Sequence, residues 1–257
     1  MRTPTARATS HARGESAATK LGDGRTPAPD TATQPDRRVV WSTALNTSRP
    51  ITPTGDDSES RVVVLASGTG TLLEALLAGS PASALAVTAV IVDRPCRAEE
   101  IAAAAGVRVH RVAPADHPDR DAWNRALAET VAGERPDLVV TAGFMRILSS
   151  EFVARFRGRI VNSHPSLLPA FPGAHGVRDA LDYGVRVTGC TVHLVDDGVD
   201  TGPILAQEAV AVLPDDDDAT LHERIKTVER RLLVDVVAAV AARGVVIDGR
   251  KAVIPSE

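Results

Sequence analysis

The stretch Arg61-Val-Val-Val-Leu-Ala66 runs directly into Ser67-Gly68-Thr69-Gly70-Thr71 and then into an apolar segment, Leu72 to Ala78, closed by Gly79. A short run with no polar alternation is what a strand buried on both faces requires, and such strands belong to parallel sheets covered by helices. The same alternation continues. Ala86–Val92, Val107–Val112, Leu138–Ala142 and Arg159–Asn162 read as strands, and Ala98–Ala105 and Asp119–Ala132 as helices closed by Gly106 and Gly133. Strands alternating with helices imply parallel pairing through right-handed crossovers, hence an α/β, Rossmann-like, mostly parallel twisted sheet flanked by helices.

Beyond residue 184 the pattern changes. Val185–Val195 alternates like a strand with one exposed face, and Ile204–Val212 reads as its antiparallel neighbour. A long final helix, Ala219–Ala242, follows Asp215-Asp-Asp-Asp218, whose charge suits a helix N-terminus, and it stops at Arg243-Gly244. This antiparallel extension and the parallel sheet form one expected domain, residues 61–257. Residues 1–60 are rich in Thr, Ser, Pro, Ala, Gly and Arg, and their only apolar patch is Val39-Val40-Trp41. They read as a disordered tail without enough apolar surface to offset ordering entropy. No secretory h-region is present, and Glu15, Asp23, Asp30 and Asp36 break the acid-poor pattern of a transit peptide.

Composition narrows the function classes. Basic residues number 29 against 33 acidic, a formal charge of −4, which argues against a nucleic-acid binder relying on a broad positive field. No apolar run approaches the roughly 20 residues of a membrane span, so no membrane partner is expected. Cys96 and Cys190 are far apart with no metal-ligand spacing, so neither a disulfide framework nor a bound metal is expected, and a cytoplasmic setting is the default.

Three segments carry candidate chemistry. The loop Ser67–Leu72 joins the first strand to the first helix, where backbone N–H groups and the helix dipole favour an anion. As a dinucleotide fingerprint it is incomplete, because Leu73 stands where a third glycine belongs, although Asp93 at the end of the second strand mimics a ribose-binding acid. A single phosphate, a dinucleotide and a purely structural turn all fit the loop. Asn162 and His164, two residues apart at a strand end, share a face. An amide beside an imidazole can donate to a developing oxyanion and move a proton. A core histidine bonded to backbone, with an asparagine capping a turn, fits the same spacing. The turn Asp196–Pro203 offers a carboxylate that would raise the pKa of His164 and orient its ring, or it is a plain hairpin. After the fourth strand, Gly143-Phe-Met-Arg-Ile-Leu148 has backbone groups suited to gripping a flat heterocycle.

Ser-Gly-x-Gly-x at 67–71, Ala-Gly-Phe-Met-Arg-Ile-Leu at 142–148, Asn-x-His-Pro-Ser-Leu-Leu-Pro at 162–169 and Asp-x-Gly-Pro at 200–203 follow one another in this order. In these motifs the chain resembles the phosphoribosylglycinamide formyltransferases, a folate-dependent family of purine biosynthesis, over about residues 61–245. The resemblance implies transfer of a formyl group from 10-formyltetrahydrofolate, a co-substrate, to the amine of phosphoribosylglycinamide, by a monomer or homodimer without metal. It matches Asn162, His164 and Asp200 to the catalytic trio. It matches Gly70, Thr71 and Leu72 to the substrate-phosphate loop and Glu229 to the carboxylate contacting glycinamide substrate. Arg120, Met145, Arg146, Ile147, Leu148 and again Asn162 match positions that bind the formyl-folate. Asn162 and protonated His164 are then expected to donate to the tetrahedral oxygen, with Asp200 steadying the imidazolium. Leu72 departs from the family's asparagine, leaving backbone N–H groups and the hydroxyls of Thr69 and Thr71 to hold phosphate. Methionyl-tRNA formyltransferases and formyltetrahydrofolate hydrolases share the fold but add, respectively, a C-terminal domain and a folded domain in front. A non-catalytic dinucleotide-sensing module is a rival from another class.

Overall fold

The computed structural model describes residues 59–79 and 85–256. The expected tail, residues 1–60, lies almost wholly outside the described residues, as does Glu257. Strand β1 (Ser60–Ala66) leads into α1 (Thr71–Gly79), β2 (Leu85–Val92), α2 (Arg97–Ala104) and β3 (Arg108–Arg111). A 3-10 turn at Pro114–Asp116 precedes α3 (Arg120–Gly133), β4 (Leu138–Thr141), α4 (Ser150–Arg155) and β5 (Ile160–His164). Then come α5 (Gly176–Tyr183), β6 (Val187–Leu194), β7 (Ile204–Ala211), α6 (Asp218–Arg243), β8 (Val246–Asp248) and β9 (Lys251–Val253).

All the strands join one sheet in the order β3-β2-β1-β4-β5-β6-β7-β9-β8. The first five in that order are parallel, and β6 turns antiparallel to β5, as β7 does to β6. The apolar run of β1 is explained by its two neighbours. Val62, Val64 and Ala66 pack with α1, α2 and α6 residues such as Leu73, Ala98 and Leu233. Val63 and Leu65 pack on the other face with Trp123, Leu127 and Phe152 from α3 and α4.

The chain leaves β1 toward β2 and β3 and later returns to place β4 on the opposite side. The crevice between the carboxyl ends of β1 and β4 is therefore the switch point where open α/β sheets bind ligands. The loops after β1 and β4 meet there, with Ser67 N–H donating to Gly143 O at 3.3 Å.

Two expectations need correction. β6 does not have an exposed face: every residue from Thr188 to Leu194 is buried. Cys190, Val192 and Leu194 face core clusters, while the loop after β5 covers the other face, where Thr191 Oγ1 donates to Ser166 O and accepts from Leu168 N–H. Secondly, α4, α5 and the β8–β9 hairpin have no counterpart in the sequence reading. The acidic run before the last helix divides its labour. Asp217 forms a capping box with Thr220, and Asp216 grips Arg224, which pulls its pKa down to about 2.

Gly189 marks how closely that loop sits on β6. A Cβ there would lie 2.0 Å from Glu208 O and 2.8 Å from Leu167 Cδ2. Gly189→Ala is expected to destabilise the fold by roughly 1–3 kcal/mol, read as a lowered denaturation midpoint. An unchanged midpoint would show that the loop yields freely.

Candidate active site

β5 ends by sending alternate side chains to opposite faces. Asn162 and His164 share one face, and Ser163 points to the other. β6 lies antiparallel alongside, with Asn162 opposite His193 and His164 opposite Thr191. The β6–β7 turn then folds Asp200 back over this face.

Asn162 is held from both ends. Thr141 Oγ1 donates to its Oδ1 at 2.6 Å, and its Nδ2 lies 3.1 Å from His193 Nε2. His193 Nδ1 is 2.9 Å from Leu194 O, an acceptor only, so Nδ1 carries the proton and Nε2 accepts from the amide. Among the described residues the second N–H of Asn162 meets no acceptor.

His164, 4% exposed, places Nε2 2.8 Å from Phe171 O and Nδ1 3.4 Å from Asp200 Oδ2. The carbonyl fixes the proton on Nε2, which leaves Nδ1 as the proton-accepting edge. Both expected readings of this residue are thus partly present: it is bonded to backbone, as a core histidine would be, and it also faces the carboxylate. Phe171 O takes the Nε2 N–H, so the N–H that a protonated His164 would turn to an incoming oxygen is the one on Nδ1. Burial holds the His164 pKa below its ordinary value, although Asp200 opposes that shift.

Asp200 serves two imidazoles, with Oδ1 3.6 Å from His193 Nε2. Gly173 N–H donates to its Oδ2 at 2.7 Å. Burial works against its charge, but His193, the Gly173 N–H and His164 outweigh it, and its pKa lies below the usual carboxylate range. Its backbone has φ 53°, a left-handed conformation that costs a non-glycine residue energy and recurs where a side chain must be aimed. Two residues on, a Cβ at Gly202 would lie 1.7 Å from Leu194 O, which accounts for the glycine in Asp-x-Gly-Pro.

Glu229 is 5% exposed on α6 and accepts from Ser163 Oγ at 2.6 Å, so it attaches to β5 from the face opposite Asn162 and His164. Burial raises its pKa. Burial also pushes the Cys190 thiol up to about 12, aided by Glu229 and Glu208, so this cysteine is inert; both cysteines are free.

At the switch point Gly70 has φ 73°, and a Cβ there would lie 2.9 Å from Ala98 Cα, so the loop needs glycine to pass α2. Leu72 sends its side chain into the core cluster beside Leu73 and Leu76 rather than toward the loop's mouth. A phosphate on this loop therefore meets backbone and threonine hydroxyls, Thr69 being exposed and Thr71 half-buried. Asp93 is not available to a ribose: Arg94 and Arg146 already occupy its carboxylate. In the loop after β4, Met145 and Ile147 are 70% and 71% exposed, while Leu148 packs against the α3–α4 core. Arg120 donates to Ile147 O and stacks over Trp123, bracing that loop. The structure thus converges Asn162, His164 and Asp200 and seats the two loops side by side. Sequence reasoning missed Thr141, Ser163 and His193. The alternation of Val185–Val195 set His193 on one face with Thr191, but nothing local gives its register against Asn162. Among the described residues, no group of His, Cys, Asp or Glu side chains is arranged to hold a metal ion.

The family described as Formyl transferase matches residues 60–237. The chain belongs to this family. A phosphoribosylglycinamide formyltransferase of Mycobacterium tuberculosis (strain ATCC 25618 / H37Rv) is 63% identical over 194 residues, covering 75% of this chain and 90% of the relative. The crystal structure of glycinamide ribonucleotide transformylase 1 from Symbiobacterium toebii has a TM-score of 0.75 at 42% identity and covers 77% of this chain and 95% of that one. A formyltetrahydrofolate deformylase from Pseudomonas syringae pv. tomato shares the formyl transferase fold with a TM-score of 0.72 at 26% identity, over 77% of this chain and 66% of that one. The α/β sheet with its antiparallel extension and long last helix is thus the family's architecture. No helix among the described residues is long and apolar enough to cross a membrane.

Asp200→Asn isolates the charge, because asparagine tolerates the left-handed backbone. The His164 pKa is expected to fall further, read from imidazole resonances across a pH titration. A midpoint equal to that of the unsubstituted protein would show that Asp200 does not support the imidazolium.

Proposed function

We propose that the chain is a phosphoribosylglycinamide formyltransferase, moving the formyl group of 10-formyltetrahydrofolate to the amine of phosphoribosylglycinamide in de novo purine biosynthesis, with residues 61–257 as the transferase domain. The observation that carries this reading is the cluster Asn162–His193–Asp200–His164 at the carboxyl edge of the sheet. Asn162, His164 and Asp200 belong to the motifs quoted above, in a chain that covers nine-tenths of a relative bearing that name.

The chemistry follows from the geometry. Attack of a neutral amine on the formyl carbon develops negative charge on oxygen and positive charge on nitrogen. The free N–H of Asn162 is the donor for that oxygen, and Thr141 and His193 fix its direction in advance. Phe171 O keeps His164 in the tautomer whose Nδ1 accepts a proton. Asp200 stabilises the imidazolium that forms when the amine gives up its proton, directly or through water; that proton then goes to N10 of the folate as the bond between the formyl carbon and N10 breaks and tetrahydrofolate leaves. This revises the expected division of labour: Asn162 serves the oxygen, and His164 with Asp200 serves the proton. The backbone of Gly70–Leu72 holds the substrate phosphate, and Glu229, set by Ser163, meets the glycinamide substrate. Met145, Arg146, Ile147 and Leu148, braced by Arg120, receive the formyl-folate. The chemistry is that of small-molecule substrates, with no nucleic acid, membrane or metal called upon, in a cytoplasmic monomer or homodimer.

The likeness to a deformylase supplies the second reading, hydrolysis of the formyl donor. Purified protein with both substrates is expected to yield formylated ribonucleotide, whereas formate released from the donor alone would favour hydrolysis. His164→Ala is expected to lower turnover by about 10²-fold or more with the fold intact by circular dichroism, and near-normal turnover would remove the acid–base assignment. Leu72→Asn is expected to destabilise the protein by roughly 2–5 kcal/mol with little change in KM for the ribonucleotide. A lowered KM at unchanged stability would instead place that side chain on the phosphate.

A further inference from the structure

Asp93 takes no part in the chemistry above, yet its side chain is wholly buried at the end of β2. Arg146 Nε donates to its Oδ2 at 2.7 Å, and Arg94 grips both oxygens at 3.0 and 3.2 Å. Burial opposes ionisation, but these arginines and the nearby Ser67 outweigh it, so the group is held as a carboxylate. The Ser67 hydroxyl accepts from Met145 N–H at 3.0 Å. Two successive residues of the loop after β4 are therefore anchored, Met145 to Ser67 of the glycine loop and Arg146 to Asp93. With its guanidinium turned inward, Arg146 leaves the loop to present backbone edges between the exposed Met145 and Ile147 side chains. That surface suits a flat, uncharged heterocycle.

We propose that Asp93 is a positioning residue for the formyl donor: through Arg146 it pins the 143–148 loop in its receiving conformation. This rests on the donor site proposed above. A loop released from Asp93 must be ordered by the donor on binding, so the ordering cost falls on donor affinity rather than on the chemical step. Proton transfer and oxyanion stabilisation belong to β5 and the β6–β7 turn, which Asp93 does not touch.

The test is steady-state kinetics on the full chain with 10-formyltetrahydrofolate and phosphoribosylglycinamide, beside amide hydrogen exchange on the ligand-free protein. Asp93→Asn is expected to raise KM for the donor by about tenfold, with kcat and KM for the ribonucleotide within about twofold. Arg146→Gln is expected to raise donor KM similarly, and the double variant no more than either alone. Exchange should quicken in 143–148 while β1 and β4 keep their wild-type rates. Equal rises in both KM values, a fall in kcat at unchanged donor KM, multiplicative single effects or unchanged loop exchange would each overturn the proposal. Should Asp93→Asn fail to fold, Arg146→Gln removes the same tie with the carboxylate in place and is expected to quicken exchange in 143–148; an unaltered rate there counts against the proposal. Absence of formyl transfer by the wild-type protein would fell the function proposed above, while the exchange comparison still decides whether Asp93 pins the loop.

Discussion

The carboxylate of Asp200 stands between two imidazoles, and much of the molecule exists to put it there. β5 must run parallel to β4 so that its end lies at the carboxyl edge, and β6 must turn antiparallel so that His193 falls opposite Asn162. The chain then doubles back through a turn tight enough to need Gly202, with Asp200 itself in a left-handed conformation. The Gly173 N–H and the two histidines offset what that backbone costs. Burial alone would raise the Asp200 pKa; His193, the Gly173 N–H and His164 together outweigh that and hold it below the usual carboxylate range.

The sheet separates two kinds of electrostatic work. At the end of β1 the glycine loop offers backbone dipoles and hydroxyls, which receive charge without a titrating group. At the end of β5 stand an amide and two imidazoles whose ring protons are assigned by neighbouring carbonyls, Leu194 O for His193 and Phe171 O for His164. β4 lies between these places, and its last residue, Thr141, touches Asn162, while the loop beyond it touches Ser67. The glycine loop, the loop after β4 and the cluster at the end of β5 thus share one strand as a common reference.

Features that depend on local periodicity were legible. The apolar run of β1 and the same-face placement of Asn162 and His164 follow from rules that act within a few residues. What escaped depends on partners distant in the chain. The second face of β6 is covered by a loop from before α5, so its Gly, Thr and His residues looked solvent-facing when they are buried. Leu72 sits beside a loop glycine, but helix geometry turns it inward, which no motif comparison shows. Asp93 occupies the place of a ribose-binding acid, and only the fold reveals that Arg146 has claimed it. α5 is hidden behind three prolines, and α4, β8 and β9 are too short to express a period.

The hairpin of β8 and β9 touches only the start of the last long strand. β9 pairs with β7 at one position, Ile204 opposite Lys251, and β8 is the outermost strand beyond it. β9 is three residues long and β7 eight, so most of the outer ladder of β7 lies beyond the hairpin's reach. Such a seam of peptide groups is where a further strand would add, and trimming the hairpin away would lengthen it by only its first rung.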